Sequence, residues 1–321
     1  MTEPALVVRD LAVRFAVHGA RRWLQAVDGV SFSLERGETL GVVGESGSGK
    51  STIARALVRL VPAAAGVAWF RGANLFDLEG APLRAMREHL QIVFQDPLGS
   101  LDPRMRVAAI LEEPLREFRP RLDRAARRGA ALAMLERVGL LPADLDRFPH
   151  EFSGGQAQRI GIARALMLRP ELLVCDEPIS ALDVSIKSQI ANLLKDLQQE
   201  LHLSVLFIAH DLAAVRFSCD RILVLYLGRV MEVASRSALF EAPRHPYTRA
   251  LLQSVPIADP VLARARRLVP LRGEIPSPLS PPSGCVFRTR CPAAEPRCAE
   301  AVPILRTVGA STVACHRAEE L

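Results

Sequence analysis

Residues 40–60, LGVVGESGSGKSTIARALVRL, constrain the fold more than any other stretch of the chain. A fully apolar strand runs into a glycine-rich turn, and a helical pattern follows through 50–60 until Pro62 ends it. A strand with no polar face must be covered on both sides, which calls for a sheet flanked by helices. GESGSGKST (44–52) matches G-x-x-x-x-G-K-[ST] between strand and helix, the context that pattern requires. Gly44, Gly47 and Gly49 let the backbone curl so that N–H groups point at phosphate oxygens. Lys50 can reach the terminal phosphates, Ser51 offers a hydroxyl to Mg²⁺, and the helix adds the positive end of its dipole. The whole loop, Gly44, Glu45, Ser46, Gly47, Ser48, Gly49, Lys50, Ser51 and Thr52, is read as nucleotide-binding.

The buried-strand pattern recurs in ELLVCDEP and SVLFIAHD, with SIKSQIANLLKDLQQEL as a helix between them. Such alternation predicts an α/β domain over residues 1–240. Leu6 to Leu34 alternates in short apolar runs as strands do, and DRILVLYLGRVMEVA reads as a hairpin around Leu227 and Gly228. From about 100 to 170 the texture is helical, with one run over Arg121–Leu141 and another from Ser153 to Arg169. This block is expected to be an inserted helical subdomain, roughly 97–170. Between 243 and 282 prolines recur, predicting an extended crossing segment rather than a new core, so 241–321 forms a separate C-terminal region.

Strand ends in α/β sheets are where ligands bind, so LLVCDEP places Asp176 and Glu177 usefully. Asp176 is suited to hold Mg²⁺ and Glu177 to polarise a water; His210, in FIAHD, reaches the same edge. The net charge of +6 reflects 41 Lys and Arg against 35 Asp and Glu. The densest basic run, RPRLDRAARRGA (119–130), is interrupted by Asp123 and carries no aromatics. Solvated helix faces explain it better than nucleic-acid binding. The start of the chain lacks a secretory pattern, and no apolar run is long enough to cross a bilayer, so an intracellular protein is expected.

FSGGQAQRIGIARAL (152–166) resembles the LSGGQ signature of ATP-binding-cassette (ABC) ATPases. Ser153 can cap the helix, while Gly154 and Gly155 expose N–H groups to an anion, with Gln156 completing the motif. The resemblance implies a P-loop ABC ATPase fold: a RecA-like core, an antiparallel β subdomain, an inserted helical subdomain and a Pro/Cys-rich C-terminal extension. By the same resemblance Gln95, in VFQDP, is the Q-loop glutamine that senses Mg²⁺ along with Ser51 and Asp176. Asp183, in SALD, matches the D-loop, His210 the switch histidine, and Phe15 the aromatic that stacks on adenine. Lys50, Gln95, Glu177 and His210 are then the residues expected to carry hydrolysis of ATP with Mg²⁺.

FQDPLGSLDPRM, PHEFSGGQ, HPYTRALLQSVP and GCVFRTRCP are similar to the ATP-binding subunits of oligopeptide and dipeptide importers, chiefly the second of their two non-identical ATPases. That likeness implies a homologous partner ATPase, two membrane permease subunits and an extracytoplasmic solute-binding protein, with no nucleic acid. It implies a place on the cytoplasmic face of the inner membrane. Relatives of this type also carry nickel, glutathione or other peptide-like solutes; a second class is an ABC ATPase without a transporter, and a third reading, a P-loop kinase, would lack the SGGQ signature. Cys175 and Cys219 read as core packing. Cys285, Cys291, Cys298 and Cys315 lack the paired C-x₂-C spacing of structural zinc. Similarity to importers whose tails hold a [4Fe–4S] cluster implies one here, with reduced structural thiols and zinc as the alternatives.

Overall fold

The computed structural model describes residues 3–17, 23–180, 182–254 and 273–320. Much of the proline-recurrent stretch, 255–272, and Ala181 of SALD therefore lie outside the described residues. The strands are β1 (Leu6–Ala16), β2 (Trp23–Leu34), β3 (Thr39–Val43), β4 (Ala65–Phe70), β5 (Ala73–Asn74), β6 (Leu90–Val93), β7 (Leu172–Asp176), β8 (Ser204–Ala209), β9 (Arg221–Tyr226), β10 (Arg229–Ser235), β11 (Arg306–Val308) and β12 (Ser311–Val313). The α-helices among the described residues are α1 (Lys50–Leu57), α2 (Gly80–Arg87), α3 (Val107–Phe118), α4 (Arg124–Arg137), α5 (Gly154–Leu166), α6 (Val184–Leu201), α7 (Leu212–Ser218), α8 (Arg236–Glu241), α9 (Pro246–Gln253) and α10 (Arg297–Glu300).

The chain divides into two compact units. One comprises Leu34–Glu38 and Asp77–Ala209 with the N-terminal residues to Ala5; the other comprises Leu6–Ser33, Thr39–Phe76 and the chain from His210 onward. In the first unit β6, β7 and β8 pair in parallel, Val93 beside Cys175 and Cys175 beside Phe207. β7 and β8 are buried at every position, as their uninterrupted apolar runs require. Helices α3, α4 and α5 form the helical block. Asp123 accepts the Ala126 N–H to start α4, three residues later than the sequence pattern suggests. Gly139, at φ 75°, ends the same run early.

In the second unit β1, β2, β4 and β5 form an antiparallel sheet in the order β2-β1-β4-β5. β3 pairs in parallel with β9, and β9 turns into β10 at Leu227 and Gly228, as the sequence predicts. Both turn residues have positive φ, 45° and 76°, which a two-residue hairpin with the correct twist demands. Helix α1 closes at Leu57, short of the expected residue 60, because Arg59 adopts a left-handed φ of 59° and the next N–H groups fold back onto the Arg55 carbonyl.

Of the expected crossing segment over 243–282, Pro246–Gln253 is helical and 255–272 lies outside the described residues; the strand pairing belongs to the tail beyond it. β12 pairs antiparallel with β10, and β11 with β12. Tyr226 of β9, Tyr247 of α9 and Phe287 of the tail meet at ring-centroid separations of 4.8, 5.3 and 5.2 Å. All three are essentially buried. Three large rings, Tyr226 meeting the other two edge to face, supply apolar area that the proline-rich composition conceals.

Candidate functional site

In the second unit, β3 delivers the chain into the loop Gly44–Gly49, and α1 begins at Lys50. Two glycines are obligatory because other backbone passes close by. A Cβ on Gly44 would lie 2.1 Å from the Leu225 carbonyl oxygen, and one on Gly49 would lie 2.3 Å from that of Ala26. Gly47, at φ 77°, faces open space. Lys50 is buried, and its Nζ donates to the carbonyl oxygens of Gly44 (2.9 Å) and Glu45 (3.0 Å). The Ser48 hydroxyl is buried without a hydrogen-bond partner among the described residues. An N-terminus with no capping side chain, a buried ammonium and an orphaned hydroxyl fit an anionic group such as a nucleotide phosphate. Phe15, near the end of β1, is 38% exposed, and His210 is exposed directly after β8.

The first unit gathers the acidic residues. Asp176 closes β7 with no exposure, and its charge, after burial itself, helps push the neighbouring Cys175 thiol far up. Glu177 follows in a left-handed backbone conformation, φ 48°, with its N–H donated to the Ile208 carbonyl at 3.0 Å. A non-glycine residue held there is unusual and marks a position fixed by its surroundings. Gln95 donates from Nε2 to Glu177 Oε2 at 3.2 Å, so two residues singled out separately in the sequence meet. Ser153 caps α5 as expected: its Oγ accepts the Gln156 N–H, and Gln156 Oε1 accepts the Ser153 N–H. Ser153 and Gly154 are exposed, whereas Gly155 is buried so close to Ile186 that a Cβ would come within 2.6 Å of it. Asp183 stands at the N-cap of α6, but its side chain makes no cap bond.

Sequence reasoning passed over the residues that hold the phosphate loop from behind. The Glu45 N–H donates to Tyr247 Oη at 2.9 Å, and Arg290 donates twice to the Glu45 carboxylate. The HPYT and FRTRCP segments carry these groups, yet nothing in their spacing points to Glu45. Beneath them Glu232 is buried and accepts the N–H groups of Arg244 and His245. His245 accepts the Tyr247 N–H at Nδ1, and burial lowers its pKa to about 3. The neutral ring contributes its full stability above the unfolded-state value near 6.5 and loses it as pH falls towards 3. Urea unfolding is therefore expected to show a loss of about 2 kcal/mol from pH 7 to pH 5, a slope that His245→Gln removes.

The four tail cysteines are free thiols. Burial raises the thiols of Cys285, Cys291 (to about 11) and Cys315 above their ordinary value. Among the described residues no group of three or more Cys, His, Asp or Glu is arranged to hold a metal ion. The expected iron–sulfur cluster thus gains no support from the arrangement.

A family model described as ABC transporter matches residues 27–180, and one described as the C-terminal region of oligopeptide/dipeptide transporters matches 231–298. The oligopeptide transport ATP-binding protein OppF of Salmonella typhimurium is 52% identical, covering 98% of this chain and 97% of that protein. The chain belongs to the oligopeptide-transport branch of the ABC transporter ATP-binding proteins. A putative peptide import ATP-binding protein of Brucella ovis is 54% identical over 96% of both chains. Among solved structures, the dimeric, post-hydrolysis ATP-binding cassette MJ0796 bound to ADP and Pi aligns with a TM-score of 0.66 at 29% identity, covering 72% of this chain and 98% of that one. Cassette CbiO1 of Clostridium perfringens, part of the CbiONQ transporter complex, gives 0.66 at 27%, covering 75% of this chain and 92% of that one. The fold of this ABC ATP-binding protein is thereby shown, and no helix among its described residues is long and apolar enough to cross a membrane.

Proposed function

We propose that the chain is the ATP-hydrolysing subunit of a peptide importer, working on the cytoplasmic face of the inner membrane with two permease subunits and a solute-binding protein. Full-length identity of 52% to an oligopeptide transport ATP-binding protein, with the matching C-terminal region, carries this reading. The phosphate loop binds ATP through its N–H groups and Lys50, and Phe15 stacks on the adenine. Bound Mg²⁺ supplies charge neutralisation, with Ser51, Gln95 and Asp176 as the oxygen donors that suit a hard cation. Glu177, oriented by Gln95, accepts the proton of the attacking water, and His210 contacts the γ-phosphate. Ser153, Gly154, Gly155, Gln156 and Asp183 face the nucleotide of a second, non-identical cassette. The domain organisation that goes with this reading is a cassette over 1–240, with its helical subdomain at roughly 97–170, and an importer-type region over 241–321.

The reading is tested by co-expressing the chain with candidate permeases and a second ATPase, then reconstituting the complex in vesicles. Peptide delivered by the binding protein is expected to stimulate hydrolysis; stimulation by nickel or glutathione alone would reassign the solute, and failure to co-purify with any permease would point to a non-transport ATPase. A second reading takes the four free tail thiols as donors to an iron–sulfur group, and it rests on the resemblance to importers with such tails alone. Iron and acid-labile sulfide in chain purified without oxygen are its test, and a chain with neither leaves four reduced packing thiols.

A further inference from the structure

Glu45 is the second residue of the phosphate loop, yet every polar group it owns is engaged by the protein. Its N–H goes to Tyr247 Oη (2.9 Å), and its carbonyl accepts from Lys50 Nζ (3.0 Å) and the Ser48 N–H (3.2 Å). Its carboxylate receives Arg290 in two-pronged fashion, Nη1 to Oε2 at 2.5 Å and Nη2 to Oε1 at 3.0 Å. The Arg290 side chain is 7% exposed and that of Glu45 24%, so the guanidinium is shielded from water while the carboxylate is half-buried. Arg290 is itself aimed: its Nη1 reaches Tyr226 Oη at 3.4 Å, and the guanidinium lies 5.8 Å from that ring's centre. Behind it the backbone is knotted, with the Cys285 N–H on the Cys298 carbonyl and the Arg290 N–H on that of Phe287.

We infer that Arg290, with Tyr247, is a positioning residue for the phosphate loop: the C-terminal region clamps Glu45 and so sets the loop for nucleotide phosphates. The inference rests on the ATP-binding reading of that loop. A planar guanidinium bonded at both prongs fixes orientation as well as distance, which a point charge does not. A clamp on the second loop residue acts before any phosphate contact is made, so its loss weakens nucleotide binding rather than the chemical step. A purely structural ion pair would change stability and leave affinity alone.

The test uses the full chain and titration calorimetry with MgATP. Arg290→Met is expected to weaken MgATP binding about tenfold, and Arg290→Lys, which keeps the charge but loses the fork, to stay about fivefold weaker than wild type. Tyr247→Phe, which deletes one hydroxyl and keeps the ring, is expected to weaken binding about threefold in a chain that still folds. Adding Glu45→Gln to Arg290→Met is expected to cause little further loss, as for groups acting through one contact. If folded Tyr247→Phe and Arg290→Met both bind MgATP within about twofold of wild type, the clamp is overturned. A wild-type chain that binds no MgATP would instead overturn the nucleotide site itself.

Discussion

Glu177→Gln slows ATP turnover by about 10²–10³-fold while MgATP affinity stays within about threefold; this is the expected result of removing a general base and nothing else. The backbone at Glu177 is locked by its left-handed conformation and its bond to Ile208, and the side chain is held by Gln95. Glutamine has the same shape and can remain beside Gln95, but it cannot accept the proton of the attacking water. Single-turnover hydrolysis paired with calorimetric binding separates the two effects. A variant that hydrolyses at the normal rate would remove Glu177 from the chemistry, and one that fails to bind would make it a structural residue.

Gly49→Ala is the second large effect, and its origin is steric. The residue sits at φ 103°, which side chains rarely adopt, and the new Cβ would meet a backbone oxygen of Ala26 at 2.3 Å. Backbone oxygen cannot swing aside as a flexible side chain does, so the loop must move. The expected cost is about 2–4 kcal/mol of stability together with loss of measurable MgATP binding. Gly129→Ala is the matched control: that glycine lies within α4 with open space around its Cβ position and no positive φ. There the same substitution is expected to stabilise by about 0.5–1 kcal/mol. Thermal unfolding followed by circular dichroism distinguishes the pair.

What could be read from the chain follows from whether the signal is local. β3, β7 and β8 are legible because strands covered on both faces must be continuously apolar. The α5 cap is legible because Ser153 and Gln156 satisfy each other within one turn. The β9–β10 turn is legible from its glycine. The pairing of Gln95 with Glu177 is not, and neither is that of Glu45 with Arg290, which lies 245 positions further along the chain. Charge types announce that a partner is needed but not which one. The ring cluster is hidden for a related reason: Tyr247 and Phe287 find its third member, Tyr226, in a strand of the preceding hairpin.

The short ribbon made by β11 and β12 has a bearing on how this protein behaves in a crowded cell. β10 is bonded to β9 on one side and to β12 on the other, so the tail covers hydrogen-bonding groups that would otherwise face outward. A bare strand with residues such as Val230 and Met231 beneath it is a template on which a second chain can crystallise or clump. The outermost strand is brief, and Arg306 within it is tied to Glu319, so the border presents charge and little length. The C-terminal segment is thus also a hem on the sheet: chains ending before residue 306 should scatter light at concentrations where the intact protein stays clear.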